Sequence, residues 1–129
     1  MDAKTGSPAP GKPLIVIVED EPAVRRSLQL LLRGQGFDVR AFASAETSTA
    51  EGVFGNPHCL VADYKLDSLD GISLLSRLRD EGWQGPAVLV TAFPSVELAE
   101  RALTSGYAAI FEKPLRERLL TETIWRLVS

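Results

Sequence analysis

Five short apolar runs punctuate the chain, and each is followed by a stretch with helical spacing. Leu14 to Val18 (LIVIV) is apolar at every position, the pattern of a strand buried on both faces. Pro22 then suits a first helical turn, and Val24, Leu28, Leu31 and Leu32 repeat as one helical stripe before Gly34 and Gly36. Phe37 to Ala43 alternates as a second strand. Ser44 is placed to cap a short helix reaching about Phe54, and Gly55, Asn56 and Pro57 make a turn. His58 to Ala62 reads as a third strand with Asp63 directly after it. A loop follows to Asp70, a plausible N-cap, and a helix carries Ile72, Leu74, Leu75 and Leu78 toward Gly82. Pro86 to Val90 is a fourth strand ending at Thr91. A helix over 94–105 places Leu98, Ala99, Ala102 and Leu103 inward. Ala108 to Glu112 is a fifth strand ending at Lys113-Pro114, and a last helix over 115–128 buries Leu120, Ile124, Leu127 and Val128.

Strands alternating with helices predict an α/β domain with a parallel sheet and helices on both faces. With 129 residues, one domain is expected over 14–129. Residues 1–13, with Pro8, Pro10, Pro13, Gly6 and Gly11, read as a flexible tail without the apolar core of a secretory signal. No apolar run approaches the roughly 20 residues of a membrane span, so no membrane association is expected.

Composition narrows the function classes. The formal net charge is −3, a poor basis for direct nucleic-acid binding, which needs clustered cations. Cys59 is the only cysteine. That excludes a disulfide framework and a cysteine zinc site, and it suits a reducing, cytoplasmic compartment. Cys59 reads as a small core residue, and the single histidine, His58, as a structural residue opening a strand. Trp83 and Trp125 read as partly buried.

The chemistry gathers at strand ends. Glu19, Asp20 and Glu21 follow strand one, Asp63 strand three, Thr91 strand four and Lys113 strand five. In an open α/β sheet, sites form beyond the carboxyl ends of the strands, so these distant residues converge on one crevice. Singly, each has a bland reading: a helix-start acid, a turn residue, a solvated lysine. Together they place three carboxylates side by side, which raises their own pKa values unless a cation compensates. A hard divalent cation with oxygen ligands, Mg²⁺ above all, answers that conflict.

IVEDEP (17–22), LVADYKLDSLDG (60–71), VLVTAF (88–93) and FEKP (111–114), in this order, resemble the CheY-like receiver domain of two-component response regulators. The resemblance spans about 14–128. It implies a doubly wound five-stranded sheet of order 2-1-3-4-5, a flavodoxin-like (βα)5 three-layer sandwich. It implies Asp63 as phosphoacceptor, with Mg²⁺ held by Asp20, Asp63 and the Lys65 backbone carbonyl and supported by Glu19. Lys113 would neutralise phosphoryl charge and Thr91 would donate to a phosphoryl oxygen. The phosphate source would be a sensor histidine kinase or phosphotransfer protein, and the readout a downstream target or output domain. The stretch 78–93 is similar to receivers that precede transcription-activating output domains, and no such domain lies within these 129 residues. The chain would act as a switch rather than a turnover enzyme. A homodimer through the predicted helix at 94–105, the fifth strand and the last helix stays open.

Several positions depart from the family pattern. Glu19 stands where Asp is commoner, and Asp67 where a Pro stiffens the loop. Ile110 stands where an aromatic often reports the switch, with Phe111 expected on the other strand face. Lys65 and Phe93 each lie two residues beyond a site residue, and a bulky Phe93 predicts slow self-hydrolysis. Two other classes fit less well. A haloacid-dehalogenase-type phosphatase needs an Asp-x-Asp motif at the first strand and a larger capped chain, and Asp63-Tyr64-Lys65 does not match. A flavodoxin-like cofactor binder needs a Gly-, Ser- or Thr-rich phosphate loop after strand one, where Glu19-Asp20-Glu21 would repel phosphate.

Overall fold

A computed structural model describes residues 11–45, 56–67 and 69–129. The elements run β1 (Leu14–Val18), α1 (Pro22–Gly34), β2 (Asp38–Phe42), β3 (Cys59–Asp63), α2 (Gly71–Asp80), β4 (Ala87–Thr91), α3 (Val96–Ser105), β5 (Ala109–Glu112) and α4 (Glu117–Val128). The strands form one sheet of order β2-β1-β3-β4-β5, every pairing parallel. This is the doubly wound topology that the resemblance implies. The first ten residues of the expected tail, and all but the start of the expected helix after Ser44, lie outside the described residues. The Pro13 carbonyl already accepts a hydrogen bond from Asp38 N–H at 3.0 Å.

The inner strands β1, β3 and β4 are buried at every position, as their apolar runs predict, whereas the edge strand β2 alternates. Two cores follow from the pleat. Val16, Val18, Leu60, Ala62 and Leu89 pack with Leu74, Leu75 and Leu78 of α2 and Leu98 and Ala102 of α3. Ile15, Ile17, Cys59, Val61, Val88 and Val90 pack with Leu28 and Leu32 of α1 and Leu120 and Ile124 of α4. Each fully buried Leu or Ile contributes about 1.5–3 kcal/mol. Two such layers can therefore hold in place a sheet edge crowded with like charges.

Caps set the helix starts. Asp70 accepts a hydrogen bond from Ser73 N–H at 2.7 Å, and Ser95 accepts one from Leu98 N–H at 3.0 Å. The Ser95 cap begins α3 two residues after the predicted Pro94. Arg116, with extended backbone, delays α4 to Glu117. Leu103 turns outward, 58% exposed, against expectation. Leu98 and Ala102 define the buried stripe of α3, and Leu103 stands about 100° around the helix from Ala102. Trp83 is half-buried and donates Nε1–H to the Pro57 carbonyl, and Trp125 stacks on Phe37 at 4.3 Å. His58 opens β3 structurally: its Nδ1 accepts the Leu14 N–H at 3.0 Å. Among the described residues no helix is long and apolar enough to cross a membrane.

Candidate functional site

The sheet register aligns the strand ends. Val18 pairs with Ala62, Asp63 with Val90, and Thr91 with Glu112. Asp63 is thus the last residue of β3 rather than the first beyond it, because its pairing with β4 extends the strand by one position. Its carboxylate is nearly buried. Asp63 Oδ1 accepts the Lys65 backbone N–H at 3.2 Å, and Oδ2 accepts from Lys113 Nζ at 2.7 Å. The Asp63 carboxylate is therefore oriented from two sides.

Glu19 and Asp20 arrive at the same place from the end of β1. One carboxylate oxygen from each of Glu19, Asp20 and Asp63 lies within 4.8 Å of the others. Glu19 is fixed from its backbone, where N–H donates to the Phe42 carbonyl and C=O accepts from Arg25 Nη1. Its Oε2 accepts the Glu21 N–H at 3.1 Å. Its Oε1 lies 3.0 Å from Lys113 Nζ but is a buried oxygen without a directed hydrogen bond. Burial raises the Glu19 carboxyl to about 7. Lys113 and the Glu21 N–H work against the shift, and the Asp63 charge adds to it. For Lys113, burial acts to lower its pKa, but the close carboxylates of Asp63, Glu19 and Glu21 outweigh it and hold the ammonium above its ordinary range.

Lys113 thus faces three acids, with Glu21 Oε1 at 3.0 Å as the third. The sequence reading gave Glu21 no role. Its place in the acidic run before Pro22 was the only local signal, and its partner is 92 residues away. Thr91 is buried. Its Oγ1 accepts the Phe93 N–H at 3.1 Å, and its carbonyl accepts the Lys113 N–H at 2.8 Å, joining the ends of β4 and β5. The Thr91 hydroxyl hydrogen remains available to a ligand. A cleft of about 600 Å³ is lined by Asp20, Asp63, Lys65, Asp67, Thr91, Phe93 and Lys113 among others. Glu19 is buried beside Asp20 and Asp63 and does not line it. Lys65 Nζ sits 5.9 Å from the centre of the Phe93 ring across the mouth. Ile110 packs toward α2 and α3 and Phe111 toward α1 and α4, on opposite faces as expected.

The carboxylates offer hard oxygen ligands, and one lysine shared among three acids leaves Glu19 Oε1 within ion-pair range but without a directed hydrogen bond. The set fits a divalent cation of the Mg²⁺ kind, which favours carboxylates together with ligand oxygens and water.

A family model described as the response regulator receiver domain matches residues 15–125. The transcriptional regulatory protein FixJ of Rhizobium meliloti is 33% identical over 110 residues, 85% of this chain and 54% of FixJ. The response regulator protein TodT of Pseudomonas putida is 28% identical over 86% of this chain and 49% of TodT. The chain spans about half the length of these curated relatives. Among solved structures, a CheY-like response regulator receiver domain protein from Methanospirillum hungatei superposes with a TM-score of 0.84. It is 26% identical, with 92% of this chain and 94% of that one covered. The receiver domain of Francisella response regulator 1452 shares the fold at 23% identity and a TM-score of 0.84, over 91% of this chain and 97% of its own.

Proposed function

This chain belongs to the response regulator receiver domain family of two-component systems, and from that premise we propose that Asp63 is its phosphoacceptor. The observation that carries the reading is the Asp63 carboxylate, held between Lys113 Nζ and the Lys65 N–H in an open cleft beside two further acids. A carboxylate oxygen attacks the phosphorus of a phosphohistidine on a sensor kinase or phosphotransfer protein. The P–O bond forms as the P–N bond breaks, and the imidazole leaves with the bonding electrons. The product is an acyl phosphate on Asp63. Lys113 and the Thr91 hydroxyl face the transferred group's oxygens. The reaction asks the protein mainly for positioning and charge compensation.

Asp20, Asp63 and the Lys65 carbonyl would hold Mg²⁺, with Glu19 supporting the cluster; when bound, the ion supplies charge neutralisation between the acids and the phosphoryl oxygens. The phosphorylated state is read as a switch rather than as turnover. It adds about −1.5 to −2 charges at the roots of β4 and β5 and so biases the α3–β5–α4 surface toward a downstream target or an output domain. No direct nucleic-acid contact and a cytoplasmic setting complete the reading.

Incubation with acetyl phosphate and Mg²⁺ should add one phosphoryl mass that survives acid and is lost in base. The adduct should be absent in Asp63→Asn and after chelation. An adduct that persists in Asp63→Asn sinks the assignment.

A further inference from the structure

Outside the acidic cluster, one buried polar contact bears on the acceptor. Tyr107 lies between α3 and β5 and is 2% exposed. Its hydroxyl donates to the Gly71 carbonyl at 2.6 Å, across 36 residues. Burial holds this phenol above the ordinary tyrosine range, so it stays a donor. Its own backbone is anchored: Tyr107 N–H donates to the Ala102 carbonyl, and the following Ala108 N–H to Ala87.

Gly71 is where the β3–α2 loop closes. Its N–H donates to the Tyr64 carbonyl at 2.8 Å. A Cβ there would stand 2.6 Å from the Asp63 carbonyl oxygen and 2.8 Å from Leu89 Cδ1, so only glycine fits so close to the acceptor's backbone. Asp63, Tyr64 and Tyr107 thus converge on one residue. The same loop carries the Lys65 N–H that orients Asp63 Oδ1.

We propose that Tyr107 is a positioning residue for the phosphoacceptor: its hydroxyl fixes Gly71, Gly71 fixes the base of the β3–α2 loop, and the loop fixes the Asp63 carboxylate through Lys65. The inference rests on the receiver reading for its consequence, because a loosened loop disperses the oxygens that would meet Mg²⁺. Lys113 ties β5 to Asp63 at the sheet edge, and Tyr107 ties the entry of the same strand to the loop's far end.

The test is Tyr107→Phe, which keeps the ring and its packing and removes only the hydroxyl. Hydrogen–deuterium exchange is followed by mass spectrometry on the unphosphorylated, metal-free chain, and Mg²⁺ binding by calorimetry. The net worth of one buried hydrogen bond predicts roughly fivefold faster exchange at residues 65–67 and 69–71, and Mg²⁺ affinity weaker by a similar factor. Exchange in β1 and β3 should not change. Unchanged loop exchange, or acceleration spread evenly over the chain, overturns the proposal. Faster loop exchange with unaltered Mg²⁺ affinity overturns it too, since Tyr107 would then be structural only. A wild-type chain that binds no Mg²⁺ and forms no acyl phosphate refutes the receiver reading instead, and loop exchange alone then decides whether the clamp exists.

Discussion

Glu19 is the acid least well accommodated at the sheet edge. It is buried, one oxygen lacks a directed hydrogen bond, and burial lifts its carboxyl from 4.5 to about 7. A carboxyl raised in the folded state binds more protons there than in the unfolded chain between those two values. The contribution of Glu19 to stability then falls as pH rises from about 4.5 to about 7, and levels off above. At 1.36 kcal/mol per unit the loss is on the order of 3 kcal/mol. Lys113 does not oppose this, because its raised pKa matters only above the ordinary lysine range. Urea unfolding at pH 5, 6, 7 and 8 without divalent ions should show the decline. Glu19→Gln should flatten it, and saturating Mg²⁺ should restore much of the stability at pH 8. A stability that rises steadily from pH 5 to 8 would contradict the charge balance described at this edge.

Among the elements, the β3–α2 and β4–α3 loops decide how the site meets water. Phe93 is 75% exposed, yet it stands beside the cleft with Lys65 against its ring. The pair gains about 0.5–1 kcal/mol at an exposed position, enough to bias two mobile side chains across the mouth. Phe93→Ala should therefore shorten the lifetime of the acyl phosphate several-fold, measured as decay of the mass adduct after donor removal, while leaving the unphosphorylated fold intact. Loss of phosphate from the unaltered chain within seconds would remove the shielding idea. The elements themselves were legible because inner parallel strands must be apolar on both faces, and because sites in this topology gather at strand ends. Asp63, Asp20, Thr91 and Lys113 could be found that way without coordinates. The Glu21–Lys113 pair and the Tyr107–Gly71 bond could not, since each joins residues far apart through side-chain reach that no local period encodes. Leu103 misled for a related reason: being apolar does not fix which side of a narrow helical stripe a residue takes.

At the scale of the whole molecule, the misread Leu103 becomes informative. With Val96 at 72%, Leu103 at 58% and Leu119 at 48% exposed, α3 and α4 carry apolar side chains on their outer faces on either side of β5. Glu97, Glu100 and Arg101 lie on α3, and Arg116, Glu117, Arg118 and Glu122 lie at or near the start of α4, where Arg118 pairs with Glu122 of the same helix. Both helices thus carry charges of both signs beside their exposed apolar residues, a composition compatible with the self-complementarity that an isologous interface requires. Lys113 directly follows β5 and contacts Asp63, so under the proposed function a phosphoryl group on Asp63 would act on the strand at the centre of this face. The expected outcome is a monomer that shifts toward dimer in sedimentation when acetyl phosphate and Mg²⁺ are added. Leu103→Arg should remain monomeric and still form the acyl phosphate, which separates assembly from chemistry. A chain that stays monomeric when fully phosphorylated would assign the face to a different partner.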